Sequence, residues 1–144
     1  MTQRGSETLH ASTVARDGRA VLITGPSGSG KSDLALRLLD RGFTLVSDDQ
    51  TIVRADHGRL LAAAPPTIRG KLEIRGIGIV EIDSADDLPV ALIVALTSEI
   101  ERLPDGGQDR RVLDVAIPLI KVDAMTPSAP VKVALALDRL GLRW

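Results

Sequence analysis

Residues 25–32 read Gly25-Pro26-Ser27-Gly28-Ser29-Gly30-Lys31-Ser32 and meet the pattern GxxxxGK[ST] at every specified position. Each residue type there has a chemical reason. Glycines let the backbone fold tightly enough to aim successive N–H groups at phosphate oxygens. A helix beginning near Lys31 adds the positive end of its dipole. The Lys31 ammonium reaches β/γ-phosphates, and Ser32 supplies a hydroxyl to magnesium. Gly25 to Ser32 is thus a candidate phosphate-binding loop, which names a class of ligand and no more. A glycine-rich turn could match by chance, but a strand before the loop and an amphipathic helix after it are the context that phosphate binding requires.

Asp48-Asp49 follows an apolar run, so two carboxylates fall at a strand's C-terminal edge, where open α/β sheets bind ligands. One of them could hold magnesium while its neighbour orients or deprotonates a nucleophile. Adjacent strand residues point to opposite faces, so joint action needs the strand to end or bend at this pair. The same pair also suits an ordinary turn or a helix cap. The stretch Leu72-Glu73-Ile74-Arg75-Gly76-Ile77-Gly78-Ile79-Val80-Glu81 reads as extended, with Glu73 and Arg75 on one face. Those two suit a surface ion pair of little energetic weight. Gly76 and Gly78 suggest a bulge or the close approach of a ligand or another backbone. His10 lies fifteen residues before Gly25 and by itself reads as a solvated or core histidine. His57 reads as a surface turn residue.

The elements that must position these groups alternate between strands and helices. Residues 1–7 are polar and read as a frayed terminus. Asp17-Gly18 is a hairpin-type turn leading into a buried strand over 20–24. Lys31 to Arg41 reads as a helix with Leu34, Ala35, Leu38 and Leu39 on one face and Gly42 at its C-terminal cap. Phe43 to Ser47 reads as a strand, and 51–55 with 59–63 as a hairpin turned at Asp56-His57-Gly58. Pro65-Pro66 opens a loop. Residues 90–96 form a buried strand, 104–109 a flexible loop, and 112–122 one or two more strands. Pro130 opens a short helix ending at Gly141.

The chain has 144 residues, the size of one domain, so residues 1–144 read as a single mixed α/β domain. Lys plus Arg is 18 against 19 for Asp plus Glu. That balance argues against nucleic-acid wrapping or membrane-surface binding, which need a basic excess. Phe43 and Trp144 are the only aromatic residues, which excludes base-stacking platforms and leaves the core to Leu, Ile, Val and Ala. With no cysteine there are no disulfides, cysteine zinc sites or thiol nucleophiles. That agrees with a reducing cytoplasm. The longest apolar runs are strand-sized, and residues 1–19 lack the apolar core of a signal peptide. The expectation is a cytoplasmic domain with no membrane segment.

GPSGSGKS, the run from Gly42 to Asp49 ending in DD, and above all LEIRGIGIVE resemble the catalytic domain of HPr kinase/phosphorylase. The likeness runs from about Leu9 to Pro118. The spacings agree as well, with Asp49 seventeen residues after Ser32 and His10 fifteen before the loop. This family phosphorylates a serine of the phosphocarrier protein HPr. The resemblance implies a P-loop kinase fold shared with phosphoenolpyruvate carboxykinases, a mixed sheet with flanking helices. It implies ATP and Mg2+ as cofactors. Gly25 to Ser32 would bind the nucleotide, with Lys31 catalytic, and Ser32, Asp48 and Glu73 would be the magnesium ligands. Asp49 would be the acid–base residue, His10 the histidine beside it, and Arg102 would match a family arginine.

Departures from the family pattern shape the rest of the expectation. The longer members carry an N-terminal domain and C-terminal helices, which places this chain with a short form. Those members are hexameric, which makes a homo-oligomer one expected assembly. Their PVRPGRN loop, tied to dephosphorylation by inorganic phosphate, is replaced by Asp123-Ala124-Met125-Thr126-Pro127-Ser128, and both arginines are missing. Phosphate attacking a phosphoserine needs cationic clamps against like-charge repulsion. The expected function is an ATP-dependent serine kinase acting on HPr, with weak or absent phosphorylase activity. The alternative is a nucleotide-sensing regulatory module that acts through a protein partner. A small-molecule P-loop kinase fits LEIRGIGIVE least.

Overall fold

Val21 and Ile23 face one way along their strand, Ala20 and Leu22 face the other, and all four are fully buried. A strand apolar on both faces must be covered on both, and the architecture follows from how that is done. In the computed structural model, which describes residues 5–102 and 107–144, the chain opens with strands β1 (Ser6–Leu9), β2 (Ala11–Arg16) and β3 (Arg19–Thr24). Helix α1 (Lys31–Leu39) follows, then β4 (Thr44–Ser47), β5 (Thr51–Asp56) and β6 (Arg59–Ala63). After a short 3-10 turn at Pro66–Ile68 come β7 (Lys71–Ile74), β8 (Gly78–Glu81) and β9 (Leu88–Leu96). The chain closes with β10 (Gln108–Val112), β11 (Val115–Val122) and α2 (Ala129–Leu140).

Nine strands form one mixed sheet in the order β1-β5-β6-β9-β3-β2-β4, with β11 parallel to β9 and β10 antiparallel to β11. Strands β3 and β9 pair in parallel through its centre. Both helices pack on one face, where Leu34, Leu38, Val133 and Leu137 meet Val21, Ile23 and Val94. The sheet covers its own other face by curling, which brings Leu9, Val53, Leu60 and Ile117 against Leu22 and Ile93. The expected flanking helices are thus a pair on a single face. Aromatic side chains contribute little to this packing, since Phe43 is buried but Trp144 is exposed.

Several local expectations are corrected. Ser6 and Glu7 are not frayed but pair with Arg54 and Val53 in β1–β5. Helix α1 ends at Leu39, before Arg41, and Gly42 at φ 93 closes the turn that follows. Gly76 and Gly78 mark neither a bulge nor a close approach. Residues 75–77 turn the β7–β8 hairpin, both glycines have positive φ, and a Cβ on either would meet nothing within 4 Å. Arg75 accordingly leaves the strand and does not share a strand face with Glu73. In the loop expected over 104–109, Gln108 and Asp109 belong to β10, while residues 103–106 lie outside the described residues. Among the described residues no helix is long and apolar enough to cross a membrane.

Candidate active site

The segment 6–16 runs antiparallel to 44–56, β1 along β5 and β2 along β4. Leu9 faces Thr51 and Thr13 faces Ser47, so residues 10–12 lie opposite residues 48–50. Both segments bend at this level as they cross from one part of the sheet to another, a usual way to build a corner. On one side the bend is His10. On the other it is a three-residue γ-turn in which Gln50 N–H donates to Asp48 C=O at 2.7 Å, centred on Asp49 at φ 69. A non-glycine residue with positive φ is uncommon, and aspartate tolerates it better than most. Such positions collect at functional sites. The bend also meets the condition set by strand geometry for using adjacent aspartates together.

The two carboxylates then diverge in environment. Asp48 is 7% exposed, its Oδ1 accepts from Ser32 Oγ at 2.5 Å and from Ser12 Oγ at 2.9 Å, and its Oδ2 accepts from Glu73 N–H at 3.2 Å. The Asp49 side chain is 61% exposed, and its Oδ1 lies 2.7 Å from His10 Nε2. One aspartate is therefore buried and held by donors beside the loop, while the other faces solvent with a histidine at its back.

Ser12 joins them. Its hydroxyl donates to Asp48 and accepts from Asp49 N–H at 3.0 Å, and it is fully buried. Sequence reasoning missed this residue, although Ser12-Thr13 stands out as a polar pair inside an apolar strand. Thr13 has its own explanation in a hydroxyl contact of 2.8 Å with Thr51. Ser12→Ala is expected to lower stability by about 1–3 kcal/mol by stranding buried partners. Loosening the Asp48–Asp49 bend is also expected to cut turnover about tenfold, the 1.4 kcal/mol scale of one hydrogen bond. Urea unfolding and steady-state kinetics check the two halves, and unchanged turnover would remove Ser12 from the site.

The loop beside this corner is built of donors. Lys31 is buried, and its Nζ donates to the carbonyls of Gly25 at 2.9 Å and Pro26 at 3.1 Å, as a buried ammonium must find partners. Gly30 caps α1 at φ 99 with no side-chain cap, so the first-turn N–H groups have no side-chain acceptor from it. Ser29 Oγ is enclosed without a partner among the described residues. Gly25 must lack a side chain, because a Cβ there would sit 2.6 Å from Ser29 Oγ and 3.2 Å from Leu96 Cβ. An ammonium, open backbone N–H groups and an unpaired hydroxyl in one place suit an anion with several acceptor oxygens.

The structure thus gathers Gly25 to Ser32, Asp48, Asp49 and His10. It brings the Glu73 backbone to Asp48, but the Glu73 side chain is exposed. Arg102 is exposed beyond β9 and makes no hydrogen bond or ion pair among the described residues. Among those residues no group of three or more His, Asp or Glu side chains could hold a metal by itself.

A family model described as the HPr Serine kinase C-terminal domain matches residues 3–135, which extends the likeness past Leu9 and Pro118 at both ends. The chain belongs to that family. A protein named HPr kinase/phosphorylase from Lacticaseibacillus casei is 37% identical over 128 residues, covering 80% of this chain and 40% of that protein. One of the same name from Lactiplantibacillus plantarum is 36% identical over 133 residues, covering 83% and 42%. The chain therefore spans about two fifths of the length of these relatives. The solved Hpr(Ser) kinase/phosphatase of Coxiella burnetii is similar with a TM-score of 0.79 and 27% identity, covering 92% of this chain and 88% of that one. The curled mixed sheet with its loop and helix is the P-loop kinase architecture of the HPr kinase type.

Proposed function

We propose that this HPr kinase domain, read as one unit over residues 1–144, transfers the γ-phosphoryl group of ATP to a serine hydroxyl of the phosphocarrier HPr. The observation that carries the reading is the exposed Asp49–His10 pair set one residue from the buried Asp48–Ser32 contact at the mouth of a donor-lined loop. The loop N–H groups and Lys31 would take the β/γ-phosphates, with phosphate oxygens replacing the carbonyls that Lys31 now meets. Asp49 would accept the proton of the incoming hydroxyl while His10 orients its carboxylate. A new serine O–P bond forms as the bond from the γ-phosphorus to the β,γ-bridging oxygen breaks, and ADP leaves. Positioning and charge stabilisation carry most of such a reaction.

Ser32 Oγ and Asp48 fit Mg2+, because hard oxygen donors few in number suit an ion that keeps most of its shell as water and phosphate. When bound, the ion would offset phosphate charge. Glu73 stays a candidate third ligand on the family resemblance, its backbone already tied to Asp48. Arg102 stays a candidate catalytic residue on the same ground. Phosphorylation adds nearly two negative charges to the target, enough to turn away a partner that expects a neutral surface.

The test is an assay with purified HPr, ATP and magnesium in the cytoplasmic pH range. Serine phosphorylation supports the kinase. Nucleotide binding without transfer would replace it with the nucleotide-sensing module.

The segment 123–128 supports weak or absent phosphorylase activity. It lies against the loop, where a Cβ on Gly30 would come 3.2 Å from Ala124 Cβ. It carries no cation of its own. The neighbouring Arg37 is committed, donating to the carbonyls of Ala124 at 2.5 Å and Thr126 at 3.4 Å and pairing with Asp33 at 3.1 Å. With phosphorylated HPr and inorganic phosphate, pyrophosphate formation is expected at no more than about 1% of the forward rate, the loss of two cationic clamps at about 10-fold or more each. Brisk pyrophosphate release would overturn this.

A further inference from the structure

At the end of β3 opposite the loop, an open cleft of about 630 Å³ is lined by Arg19, Arg59, Arg143, Asp138 and Trp144, with the β2–β3 turn at its edge. The volume falls within the roughly 300–1,000 Å³ of small-molecule sites. Five residue steps along β3 separate Arg19 from Thr24, which puts the cleft about 17 Å from the loop at ~3.3 Å per step. Cations exceed carboxylates here, with Arg19, Arg59 and Arg143 set against Asp17 and Asp138. Asp138 is the carboxylate shared by Arg16 at 2.7 Å and Arg19 at 3.9 Å. Arg143 donates to the Asp138 carbonyl and Arg59 lies over the Trp144 ring at 5.9 Å, and neither has an ion pair among the described residues. The Arg19 side chain is 11% exposed, and its Nη1 donates to the carbonyls of Leu137 and Leu142. Its pKa is lowered, first by burial and then by the positive charge of Arg143, with Asp138 and Asp17 acting in the opposite direction. Capping the C-terminal carbonyls of α2 explains Arg19 and holds one nitrogen of Arg143, but it leaves the charges of Arg59 and Arg143 without a carboxylate partner among the described residues.

The geometry points to a second ligand site in this cleft, where Arg19, Arg59 and Arg143 take a small phosphate-bearing anion and the Trp144 indole walls one side. Planar guanidinium forks match phosphate oxygens two at a time, which favours phosphate over a single-point anion such as chloride. The site is separate from the loop and does not depend on what the loop transfers.

Trp144 is the only tryptophan in the chain and reports on the cleft directly. Its emission is to be titrated with inorganic phosphate and with glycerol 3-phosphate at constant ionic strength, using chloride as the control. The Lys31→Ala chain is titrated in parallel, so that any contribution from phosphate at the loop shows as a loss of response or affinity in that chain. A saturable change is expected with both phosphates in both chains, and the tighter of the two names the free ion or the phosphomonoester as the better fit. Arg143→Gln and Arg59→Gln are each expected to weaken it by about five- to tenfold, the scale of one charge-assisted contact at an open site. Because Arg59→Gln also alters the indole's surroundings, the phosphate-dependent rise in melting temperature is the second readout, expected to shrink in both variants. Equal response to chloride, affinity unchanged in both variants, or a response to an acidic peptide but to neither phosphate would overturn the proposal. A response that disappears in Lys31→Ala would do the same by tracing it to the loop. Failure here leaves the kinase reading untouched, since no nucleotide or HPr enters the measurement.

Discussion

Lys31→Ala is expected to reduce phosphoryl transfer by about 10²–10³, the usual cost of removing one group aimed at transition-state charge. The residue is buried at 6% exposure, with its ammonium held over the loop by two carbonyls. A charge held in that position is already largely dehydrated, so exchanging those carbonyls for phosphate oxygens costs little further desolvation. The variant loses the ammonium but keeps the glycines and the helix start, so the loop retains its backbone N–H groups. Nucleotide affinity is therefore expected to fall by a smaller factor, about tenfold, in line with one charged contact. Calorimetric titration of ATP analogues into both chains, alongside single-turnover transfer, separates the two effects. Equal affinity and equal turnover would refute the loop as a phosphate site. Since Lys31 also occupies a buried position, circular dichroism melts must accompany the assay to show that the variant is folded.

Asp49→Asn is expected to lower turnover by about 10²–10⁴ with nucleotide binding unchanged, the range of a lost general base. Asparagine has the same shape and also tolerates positive φ, so the γ-turn at φ 69 should survive. The amide cannot take the seryl proton, which isolates the chemistry from the fold. His10→Ala is expected to cost less, about tenfold, because it acts through the Asp49 carboxylate at 2.7 Å. For the same reason the double variant should resemble Asp49→Asn alone, the non-additivity of residues that work as a unit. Phosphate transfer from labelled ATP to HPr in a single turnover measures all three. If Asp49→Asn keeps turnover within about threefold of the parent, Asp49 is not the base, since that is under 1 kcal/mol of barrier.

Consecutive residues already determined the glycine-rich loop at Gly25 to Ser32, the strand before it and the helix after it. GxxxxGK[ST] is a local pattern whose chemistry depends on neighbours in the chain. The hairpins turned at Asp17-Gly18 and at His57-Gly58 were equally local, since positive φ at paired turn residues is a property of those residues themselves. The resemblance carried by LEIRGIGIVE pointed to the family, yet the hairpin that this stretch forms is not legible in its residues. Two glycines in an apolar run serve an extended strand or a turn equally well, and only the pairing of Leu72 with Val80 shows the reversal between them.

What the tertiary structure alone decided is the company each charged group keeps. His10 and Asp49 are thirty-nine positions apart, and their contact comes from the register that sets Leu9 against Thr51. Ser12 gained its role because that register lays its hydroxyl between two aspartates. The arginine cleft has the same origin, gathered from β3, β6 and the residues after α2. Register follows from which apolar faces must be buried across the whole sheet, a long-range condition that no short window of sequence contains.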